Sequence, residues 1–240
     1  MGAVTALIFA GGTGRRMSTR ATPKQFLELH GKPVIIYTIE HFEKHPQVDN
    51  IVVVCLESWI AELERLLHRY DIRKVTTIVP GGQTGHGSIY NGLVAMRDAA
   101  DEQDIVLIHD GVRPLIDERL LTENIAIARE HGAAVTGERV AESIVRVDAD
   151  EDIADVPPRD EMYVAKAPQS FRYGLILELY TWAHAKGVAT ADSAHLCHLR
   201  GIRPRVVTST PQNIKITNPS DYYVFRALYE ALENQQILGT

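Results

Sequence analysis

The chain has 240 residues, of which 45% are hydrophobic and 23% are charged, and its formal net charge is −6. This is the composition of an ordinary soluble α/β protein, and the excess of acidic residues argues against nucleic-acid binding, which leaves a basic footprint. No apolar stretch approaches the ~18 residues of a membrane-spanning helix, the N-terminus lacks the pattern of a signal peptide, and two cysteines are too few for a disulfide framework, so we expect a cytoplasmic protein that binds neither nucleic acid nor a membrane.

Short β-branched runs alternate with amphipathic segments along the first part of the chain. We predict strands at 4–10, 51–55, 75–79, 105–109 and 133–136, and helices at 33–43, 58–68, 88–99 and 118–131. Continuous apolar strands separated by helices are typical of a parallel sheet that is covered on both faces. The expected fold class is therefore α/β, with a mostly parallel, twisted, Rossmann-like sheet and helices on both of its faces.

The pattern changes between Gly137 and Pro168, where apolar and polar residues alternate around acidic turns and a Pro-Pro pair. This pattern predicts a β-arm that protrudes from the main sheet. After it we predict helices at 173–186, 192–199 and 220–234, and strands at 205–207 and 213–217. No internal repeat is present. The length suits one large α/β domain, and residues 1–240 are expected to form a single domain with an arm at about 137–168.

The first predicted strand runs directly into the glycine-rich loop Gly11-Gly12-Thr13-Gly14, which is followed by Arg15, Arg16 and, in TPKQF, Lys24. Glycine lets the backbone approach a ligand closely, so that several amide groups point at one anion. Ligands of open α/β sheets bind beyond the carboxyl ends of the strands, where this loop lies. Because arginine and lysine both bind phosphate oxygens, the three cations favour a polyphosphate ligand over a simple tight turn.

The loop does not match two familiar phosphate-binding signatures. A Walker A loop requires G-x-x-x-x-G-K-[ST], and no lysine follows Gly14. The dinucleotide fingerprint G-x-G-x-x-G requires a further glycine, but Gly14 is followed by Arg15, Arg16 and Met17. The sequence therefore argues against both a P-loop NTPase and a Rossmann oxidoreductase.

Several stretches together carry a specific resemblance: LIFAGGTGRRM with PKQFLELHGKPVIIYTI, PGGQTGHGSIYNGL, VLIHDGVRPLI, KAPQSFR and NIKITNPSDYYVFRAL. In this order they resemble the sugar-phosphate nucleotidyltransferases, above all the cytidylyltransferases that act on 2-C-methyl-erythritol 4-phosphate or ribitol 5-phosphate. The resemblance covers nearly the whole chain. It implies a nucleotidyltransferase fold, CTP as co-substrate, Mg²⁺ as cofactor, a polyol phosphate as acceptor and pyrophosphate as leaving group.

By this resemblance Arg16, Lys24 and Lys215 are the catalytic residues, which stabilise negative charge on the α-phosphoryl group. The residues expected to bind the nucleotide are Ala10, Gly11, Gly12, Thr13, Gly14, Gly81, Gly82, Ser88, Asp110 and Gly111. Asp110 ends an apolar strand, and a carboxylate there either holds Mg²⁺ or a substrate hydroxyl, or caps the next helix. Arg113 either reaches a phosphate or braces the loop.

The acceptor is expected, on the same resemblance, to bind Asp110, Glu142, Ser143, Arg159, Thr190 and Asp192. An arm of this length makes little core by itself, and in relatives it reaches the other subunit, so a homodimer with exchanged arms is expected. Two departures from the family pattern occur: Gly85 stands in place of an arginine, and Ala191 in place of a threonine. His86, next to Gly85, either substitutes for that arginine or is a solvated loop residue.

Two of these site predictions compete with structural explanations. Lys215 alternates with Ile214 and Ile216 in a predicted strand, so its side chain faces away from theirs and either binds phosphate or is solvated. Asp192 stands at the start of a predicted helix, where aspartate is a good N-cap.

The identity of the acceptor depends on the arm. Enzymes for methylerythritol phosphate usually place a basic residue before an Asp-Thr pair there, whereas this chain reads Val140-Ala141-Glu142-Ser143. This stretch, and LESWI after the second strand, resemble the ribitol-phosphate branch more. We therefore expect ribitol 5-phosphate as the acceptor and CDP-ribitol, which feeds polyol-phosphate polymers such as teichoic acid, as the product. The alternatives are methylerythritol phosphate of isoprenoid biosynthesis and a non-catalytic nucleotide-binding relative.

Overall fold

A computed structural model describes residues 2–11, 22–188, 190 and 192–238 of the chain. The helices in these ranges are α1 (Val34–Lys44), α2 (Ile60–Arg69), α3 (Gly85–Ala95), α4 (Glu118–His131), α5 (Tyr173–Lys186), α6 (Ser193–Leu199) and α7 (Pro219–Leu238). The strands are β1 (Val4–Ala10), β2 (Glu28–Leu29), β3 (Lys32–Pro33), β4 (Asn50–Cys55), β5 (Val75–Pro80), β6 (Ile105–Asp110), β7 (Ala133–Arg139), β8 (Arg146–Val147), β9 (Ile153–Asp155), β10 (Tyr163–Arg172) and β11 (Arg205–Thr208). None of the described helices is both long and apolar enough to cross a membrane.

The main sheet has the strand order β11-β7-β10-β6-β1-β4-β5. Strand β1 lies between β4 and β6 and is parallel to both, β5 is parallel to β4, and β11 is parallel to β7. Strand β10 is antiparallel to its two neighbours, β6 and β7. The predicted α/β class with a mostly parallel sheet is confirmed. Because β1, β4, β5 and β6 run in one direction, their carboxyl ends meet at one edge of the sheet.

Each face of the sheet carries its own hydrophobic core. Along β1, Ala6 and Ile8 contact the core under α1, α2 and α4, whereas Leu7 contacts the core under α3, α5 and α6. All three side chains are fully buried. A third cluster joins α7 to α1 and includes Val112 and Ile216, which flank the edge where the strands end. Helices therefore cover both faces, as continuous apolar strands predict.

The sequence does not predict the strand β10 in the middle of the sheet. Gln169 of this strand lies opposite Ile108 of β6 and Val135 of β7, although the chain up to Pro168 is predicted to belong to the arm. Alternating polar and apolar residues indicate a strand, but its partners and direction depend on residues that are distant in sequence. The arm pattern therefore extends into a strand of the main sheet.

Outside the main sheet, the arm is shorter than predicted. Strand β7 runs to Arg139 and β10 begins at Tyr163, so the segment that leaves the sheet is 140–162 instead of 137–168. Within it, β8 and β9 pair in a separate hairpin with exposed residues.

The prediction of a strand at 213–217 is wrong, because the backbone of this segment is irregular. The backbone N–H of Ile216 donates to the carbonyl of Val112 (2.9 Å) in the loop after β6. A strand needs a ladder of partners along its length, and this loop offers only such single bonds. The predicted alternation still describes the side chains, since Ile216 is fully buried and the Lys215 side chain is 39% exposed.

Candidate active site

A cleft of about 870 Å³ lies beside the carboxyl ends of the central strands. Its walls come from the loop after β5, the first turn of α3, the end of β6, the middle of β10, helix α5 and the segment before α6. The predicted site residues that line it are Gly82, Asp110, Thr190, Asp192 and Lys215.

Close to this cleft, the glycine-rich ends of β1 and β5 pack directly against each other. A Cβ atom on Gly11 would lie 2.9 Å from the Cα atom of Gly81 and 2.8 Å from the hydroxyl of Ser88. A Cβ atom on Gly111, after β6, would lie 2.8 Å from the Cβ atom of Ala10. Glycine is required at these positions because the backbones approach too closely for a side chain. Five of the predicted nucleotide-binding residues therefore lie together.

The loop after β5 is braced from within by Ser88, whose side chain is buried. The Ser88 hydroxyl donates to the carbonyl of Thr84 (2.9 Å) and accepts from the N–H of Gly82 (3.1 Å). Thr84 caps α3 by accepting from the N–H of Gly87 (3.0 Å). This cap explains why α3 begins at Gly85, three residues before the predicted start. The N-terminus of α3 thus lies at the cleft, where its partial positive charge favours an anionic ligand.

Asp110 is the charged centre of the cleft and is only 5% exposed. Its Oδ1 lies 2.5 Å from the Lys215 Nζ, and its Oδ2 accepts a hydrogen bond from the Arg113 Nε (3.1 Å). Arg113 also donates to the backbone carbonyl of Asn213 (2.9 Å). Arg113 therefore braces the loop, one of the two roles that the sequence leaves open, and Lys215 is an ion-pair partner instead of a solvated lysine.

Two titratable groups at the end of β6 have shifted pKa values. Burial alone would raise the pKa of Asp110, but the charges of Lys215 and Arg113 outweigh burial and lower it, so the carboxyl is ionised at neutral pH. Burial lowers the pKa of His109 to about 3, so its ring is neutral. The His109 Nε2 lies 3.0 Å from the carbonyl of Arg113, and it carries the hydrogen because a carbonyl only accepts. His109 thus holds the turn that carries the charged pair.

The structure brings Lys24 next to the Lys215 segment. The Lys24 Nζ donates to the carbonyl of Ile216 (2.9 Å), and the side-chain amide of Gln25 donates to the carbonyl of Ala10 (2.7 Å) at the end of β1. Two of the three predicted catalytic residues are therefore neighbours in space, although they are far apart in sequence. The remaining predicted residues of this part lie outside the described residues: Gly12, Thr13, Gly14 and Arg16.

A second wall of the cleft carries Asp192 and Thr190. The Asp192 Oδ1 accepts from the N–H of His195 (2.9 Å) and caps α6, so the structural explanation for this residue holds. Its Oδ2 accepts from the side-chain amide of Gln169 (3.2 Å). Because the capping carboxylate still lines the cleft, its contact with the acceptor stays a prediction. The neighbouring departure, Ala191, lies outside the described residues.

His86 is not a solvated loop residue. Its ring stacks on Tyr180 of α5, with 4.5 Å between the ring centroids, and its Nδ1 lies 3.3 Å from the hydroxyl of Thr190. Burial and the nearby His184 lower the pKa of His86, so the ring is neutral at pH 7. The contacts of His86 join the first turn of α3 to α5 and to the segment that carries Thr190.

The predicted acceptor residues of the arm lie away from the cleft of their own chain. Glu142, Ser143 and Arg159 are exposed, none of the three lines the cleft, and Arg159 donates to the carbonyl of Ala141 within the arm (3.2 Å). The large apolar side chains that the arm exposes are Ile144, Val145, Val147, Ile153 and Val156. Several large exposed apolar side chains in one short segment are typical of an interaction surface.

The cleft residues that the sequence interpretation missed include Lys166, Gln169 and Tyr180. Gln169 orders the second wall, because it donates to Asp192 and also accepts from the N–H of Ala194 (3.1 Å). Tyr180 donates to or accepts from the hydroxyl of Ser193 (3.0 Å). Lys166 and Gln169 belong to the motif KAPQSFR, which was the available signal; Tyr180 lies in a helix pattern that indicates only burial.

The residues present fit a magnesium ion that arrives with a nucleotide. Such an ion needs one or two carboxylates from the protein and takes its other ligands from phosphate and water, and Asp110 offers an ionised carboxylate on the cleft wall. The described part of the chain contains no cluster of three or more His, Cys, Asp or Glu side chains that would hold a metal without the nucleotide. Each Asp110 oxygen contacts one cation, and an ionised carboxylate has further lone pairs for a metal ion.

The family model for 2-C-methyl-D-erythritol 4-phosphate cytidylyltransferase matches residues 4–230 of the chain. A ribitol-5-phosphate cytidylyltransferase of Vibrio parahaemolyticus is 46% identical over 235 residues, which are 98% of this chain and 99% of the relative. One of Streptococcus agalactiae is 45% identical over 234 residues, 97% of this chain and 98% of the relative. A 2-C-methyl-D-erythritol 4-phosphate cytidylyltransferase of Geotalea uraniireducens is 37% identical over 234 residues, 97% of this chain and 99% of the relative.

The fold is similar to solved structures over almost its full length. The crystal structure of a 4-diphosphocytidyl-2C-methyl-D-erythritol synthase from Anaerococcus prevotii has a TM-score of 0.83 and 27% identity, and covers 95% of this chain and 96% of that chain. The 2-C-methyl-D-erythritol 4-phosphate cytidylyltransferase of Francisella tularensis has a TM-score of 0.76 and 26% identity, with 93% and 99% covered.

Proposed function

The chain belongs to the 2-C-methyl-D-erythritol 4-phosphate cytidylyltransferase family, and we propose that it transfers the cytidylyl group of CTP to ribitol 5-phosphate. The main support for ribitol 5-phosphate as the acceptor is sequence identity. The chain is 45% and 46% identical to two relatives named ribitol-5-phosphate cytidylyltransferase, and 37% identical to the relative named 2-C-methyl-D-erythritol 4-phosphate cytidylyltransferase. The arm sequence at 140–143 supports the same acceptor.

The reaction forms one bond and breaks one. An oxygen of the acceptor phosphate attacks the α-phosphorus of CTP in line, and the bond from this phosphorus to the bridging oxygen breaks, so that the electron pair leaves on pyrophosphate. No covalent enzyme intermediate is needed, and the protein therefore contributes positioning and electrostatic stabilisation. We assign Lys24 and Lys215 to the charge that grows on the α-phosphoryl oxygens, because the Lys24 ammonium binds the carbonyl of Ile216, the residue after Lys215.

Magnesium would be held by Asp110 together with the phosphates of CTP, and when bound it would neutralise part of their charge. The Asp110 carboxylate also orients the ammonium of Lys215, which lies 2.5 Å away. Arg113 keeps this carboxylate in place from the other side. These three residues therefore position charge at the reacting centre.

Ribitol 5-phosphate is expected to exceed methylerythritol phosphate in kcat/KM by ~10-fold or more, which corresponds to ~1.4 kcal/mol of transition-state binding. Ribitol offers a longer row of hydroxyls and no branching methyl, and a site built for hydroxyls disfavours an analogue that leaves its groups unpaired. The measurement is pyrophosphate release from CTP with each acceptor in parallel. The variant Glu142→Ala is expected to narrow the gap, because the Glu142 carboxylate accepts hydrogen bonds.

Equal use of the two acceptors, or a preference for the branched one, would contradict this acceptor and favour the reaction of isoprenoid biosynthesis. No pyrophosphate release with either acceptor would favour a nucleotide-binding protein without this activity.

We also propose a homodimer in which the arm of each chain completes the site of its partner. The support is that Glu142, Ser143 and Arg159 do not line the cleft of their own chain. In addition, Ile153 and Val156 are 65% and 58% exposed, and a partner subunit would cover them. The cleft then receives its arginine for the acceptor phosphate from the neighbouring arm.

Arg159→Ala is expected to raise the KM for ribitol 5-phosphate and to leave the KM for CTP nearly unchanged, because the guanidinium binds only the acceptor phosphate. Mixing this variant with the inactive Lys24→Ala variant is expected to restore part of the activity. In such a heterodimer one site combines an intact Lys24 with an intact neighbouring arm. If differently tagged chains form heterodimers and no activity returns, each arm serves its own site.

We place the enzyme in the cytoplasm, because its co-substrate CTP is made there. An activated CDP-polyol is a donor of polyol phosphate, so the class of reaction that consumes the product is polyol-phosphate transfer to a growing polymer, such as teichoic acid.

A further inference from the structure

Lys166 is a nearly buried cation in the cleft that none of the roles above uses. It lies in β10 and lines the cleft, its side chain is only 10% exposed, and its Nζ contacts the carboxylate of Glu138 in β7. Between Ala165 and Gln169 the pairing of β10 with β7 shifts register. Lys166 therefore sits in an irregular stretch of the strand, beside the cleft.

The surroundings of Lys166 lie between the second wall and the charged centre. On one side, the side-chain amide of Gln169 lies 3.4 Å from the Lys166 carbonyl and donates to Asp192 (3.2 Å). On the other side, the side-chain amide of Asn213, which belongs to the network of the charged centre, donates to the carbonyl of Ala167 (2.8 Å). The backbone at Lys166 and Ala167 therefore contacts groups of both walls, and Lys166 lines the same cleft as Asp110 and Asp192.

The net charge of the pair formed by Lys166 and Glu138 determines which part of a substrate it can bind. A phosphate needs a net positive site, but the carboxylate of Glu138 cancels the charge of Lys166 and repels an anion. A hydroxyl oxygen is uncharged and accepts a hydrogen bond from an ammonium, so the carboxylate of Glu138 does not repel it. The half-buried pair of Lys166 and Glu138 is therefore suited to the neutral, hydroxylated part of an acceptor.

We propose that Lys166, held in place by Glu138, hydrogen-bonds the hydroxyls of the acceptor polyol and selects a longer polyol phosphate over a shorter one. This inference rests on the proposed transfer to a polyol phosphate. A shorter acceptor leaves one N–H donor of the ammonium, which Glu138 does not use, unpaired in the cleft, and this disfavours that acceptor. Selectivity then arises on the cleft wall of the chain itself, in addition to Glu142 on the arm.

The test compares ribitol 5-phosphate with glycerol 3-phosphate, which carries the same phosphate and fewer hydroxyls. Lys166→Met is expected to lower kcat/KM for ribitol 5-phosphate by ~10-fold or more, to change kcat/KM for glycerol 3-phosphate by less than ~2-fold, and to leave the KM for CTP unchanged. Lys166→Gln keeps a hydrogen-bond donor without the charge and is expected to give an intermediate loss. Glu138→Gln is expected to lower the same selectivity, because an amide holds the ammonium less firmly.

Lys32→Met is the matched control. Lys32 forms a half-buried ion pair with Glu40 (2.7 Å, with the Lys32 side chain 26% exposed), and neither residue lines the cleft. The control is expected to lower the free energy of unfolding by a similar amount without changing the selectivity between the two acceptors.

Other results of the kcat/KM comparison would contradict the inference, and they would do so for different reasons. An equal loss with both acceptors would show that Lys166 binds their shared phosphate, and unchanged selectivity in a folded variant would show that the pair is only structural. If Lys166→Met does not fold, the variants Lys166→Gln and Glu138→Gln test the inference through the ratio of kcat/KM for ribitol 5-phosphate to kcat/KM for glycerol 3-phosphate. A wild-type enzyme that does not use ribitol 5-phosphate contradicts the proposed function, whereas an active wild type with unchanged variants contradicts this inference alone.

Discussion

Replacing Lys24 by alanine is expected to lower kcat by ~100-fold or more while the chain stays folded, a loss of ~2.7 kcal/mol of transition-state stabilisation. The ammonium is held by its bond to the Ile216 carbonyl (2.9 Å), next to Lys215 in the chain. A cation fixed there acts on charge that grows on the transferred phosphoryl group and needs no reorganisation during the reaction. The measurement is kcat for pyrophosphate release at saturating CTP and acceptor.

Lys44→Ala is the control for this variant. The Lys44 side chain is 75% exposed and pairs with Glu40 on the surface of α1, so its removal is expected to leave kcat unchanged. Thermal unfolding of both variants separates a catalytic loss from a folding loss. A folded Lys24→Ala enzyme with near-normal turnover would remove Lys24 from the catalytic residues.

Replacing Asp110 by asparagine is expected to reduce both activity and stability. The change leaves the ammonium of Lys215 and the guanidinium of Arg113 without their counter-charge, and the Arg113 side chain is only 9% exposed. Removing one partner of a buried ion pair costs ~3–5 kcal/mol of stability. We also expect kcat/KM to fall by ~100-fold or more, because Lys215 loses its orientation and the carboxylate that we propose for magnesium is removed.

The matched control is Asp71→Asn, which breaks the exposed pair of Asp71 with Arg73, whose side chains are 76% and 79% exposed. Exposed pairs add little to stability because water screens them, so this variant is expected to unfold at nearly the wild-type denaturant concentration. Equal effects of the two substitutions would show that the pair at Asp110 is not a buried, stabilising one.

The effect of Asp110 on stability has a defined pH dependence. Its pKa is lower in the folded chain than in the unfolded chain, so its contribution is fully present above pH ~4 and is lost as the pH falls through the lowered folded pKa. The difference in unfolding free energy between wild type and Asp110→Asn is therefore expected to shrink at acidic pH. A difference that stays constant from pH 7 to pH 3 would contradict the ion-pair assignment.

The sequence by itself determined the fold class and most of the helices and strands. The bounds of α4 are predicted to the residue, because Asp117 caps the helix at its start and Gly132 ends it with a left-handed conformation (φ +83°). Strands β1, β4, β5 and β6 are predicted within a residue, because their apolar runs are continuous and bounded by turn residues. Such signals are local, so the residues that carry them are adjacent in the chain.

Motifs also predicted several site residues that the structure brings together. Asp110 and Lys215 form an ion pair, and Lys24 binds the carbonyl next to Lys215. Their roles in catalysis stay predictions, and so does the role of Arg16, which lies outside the described residues. The sequence was sufficient to identify these residues because each of them lies within a short motif of the family.

Only the tertiary structure decided the placement of β10 between β6 and β7, the irregular path of 213–217 and the pairs that surround the cleft. The sequence leaves the role of Arg113 open, and the structure pairs it with Asp110 and Asn213. Likewise, the motif KAPQSFR contains Lys166 but does not indicate its partner, and only the placement of β10 beside β7 brings Lys166 to Glu138. Strand partners, ion pairs and pKa values all depend on distances between residues that are far apart in the chain, and local propensity and periodicity contain no information about those distances.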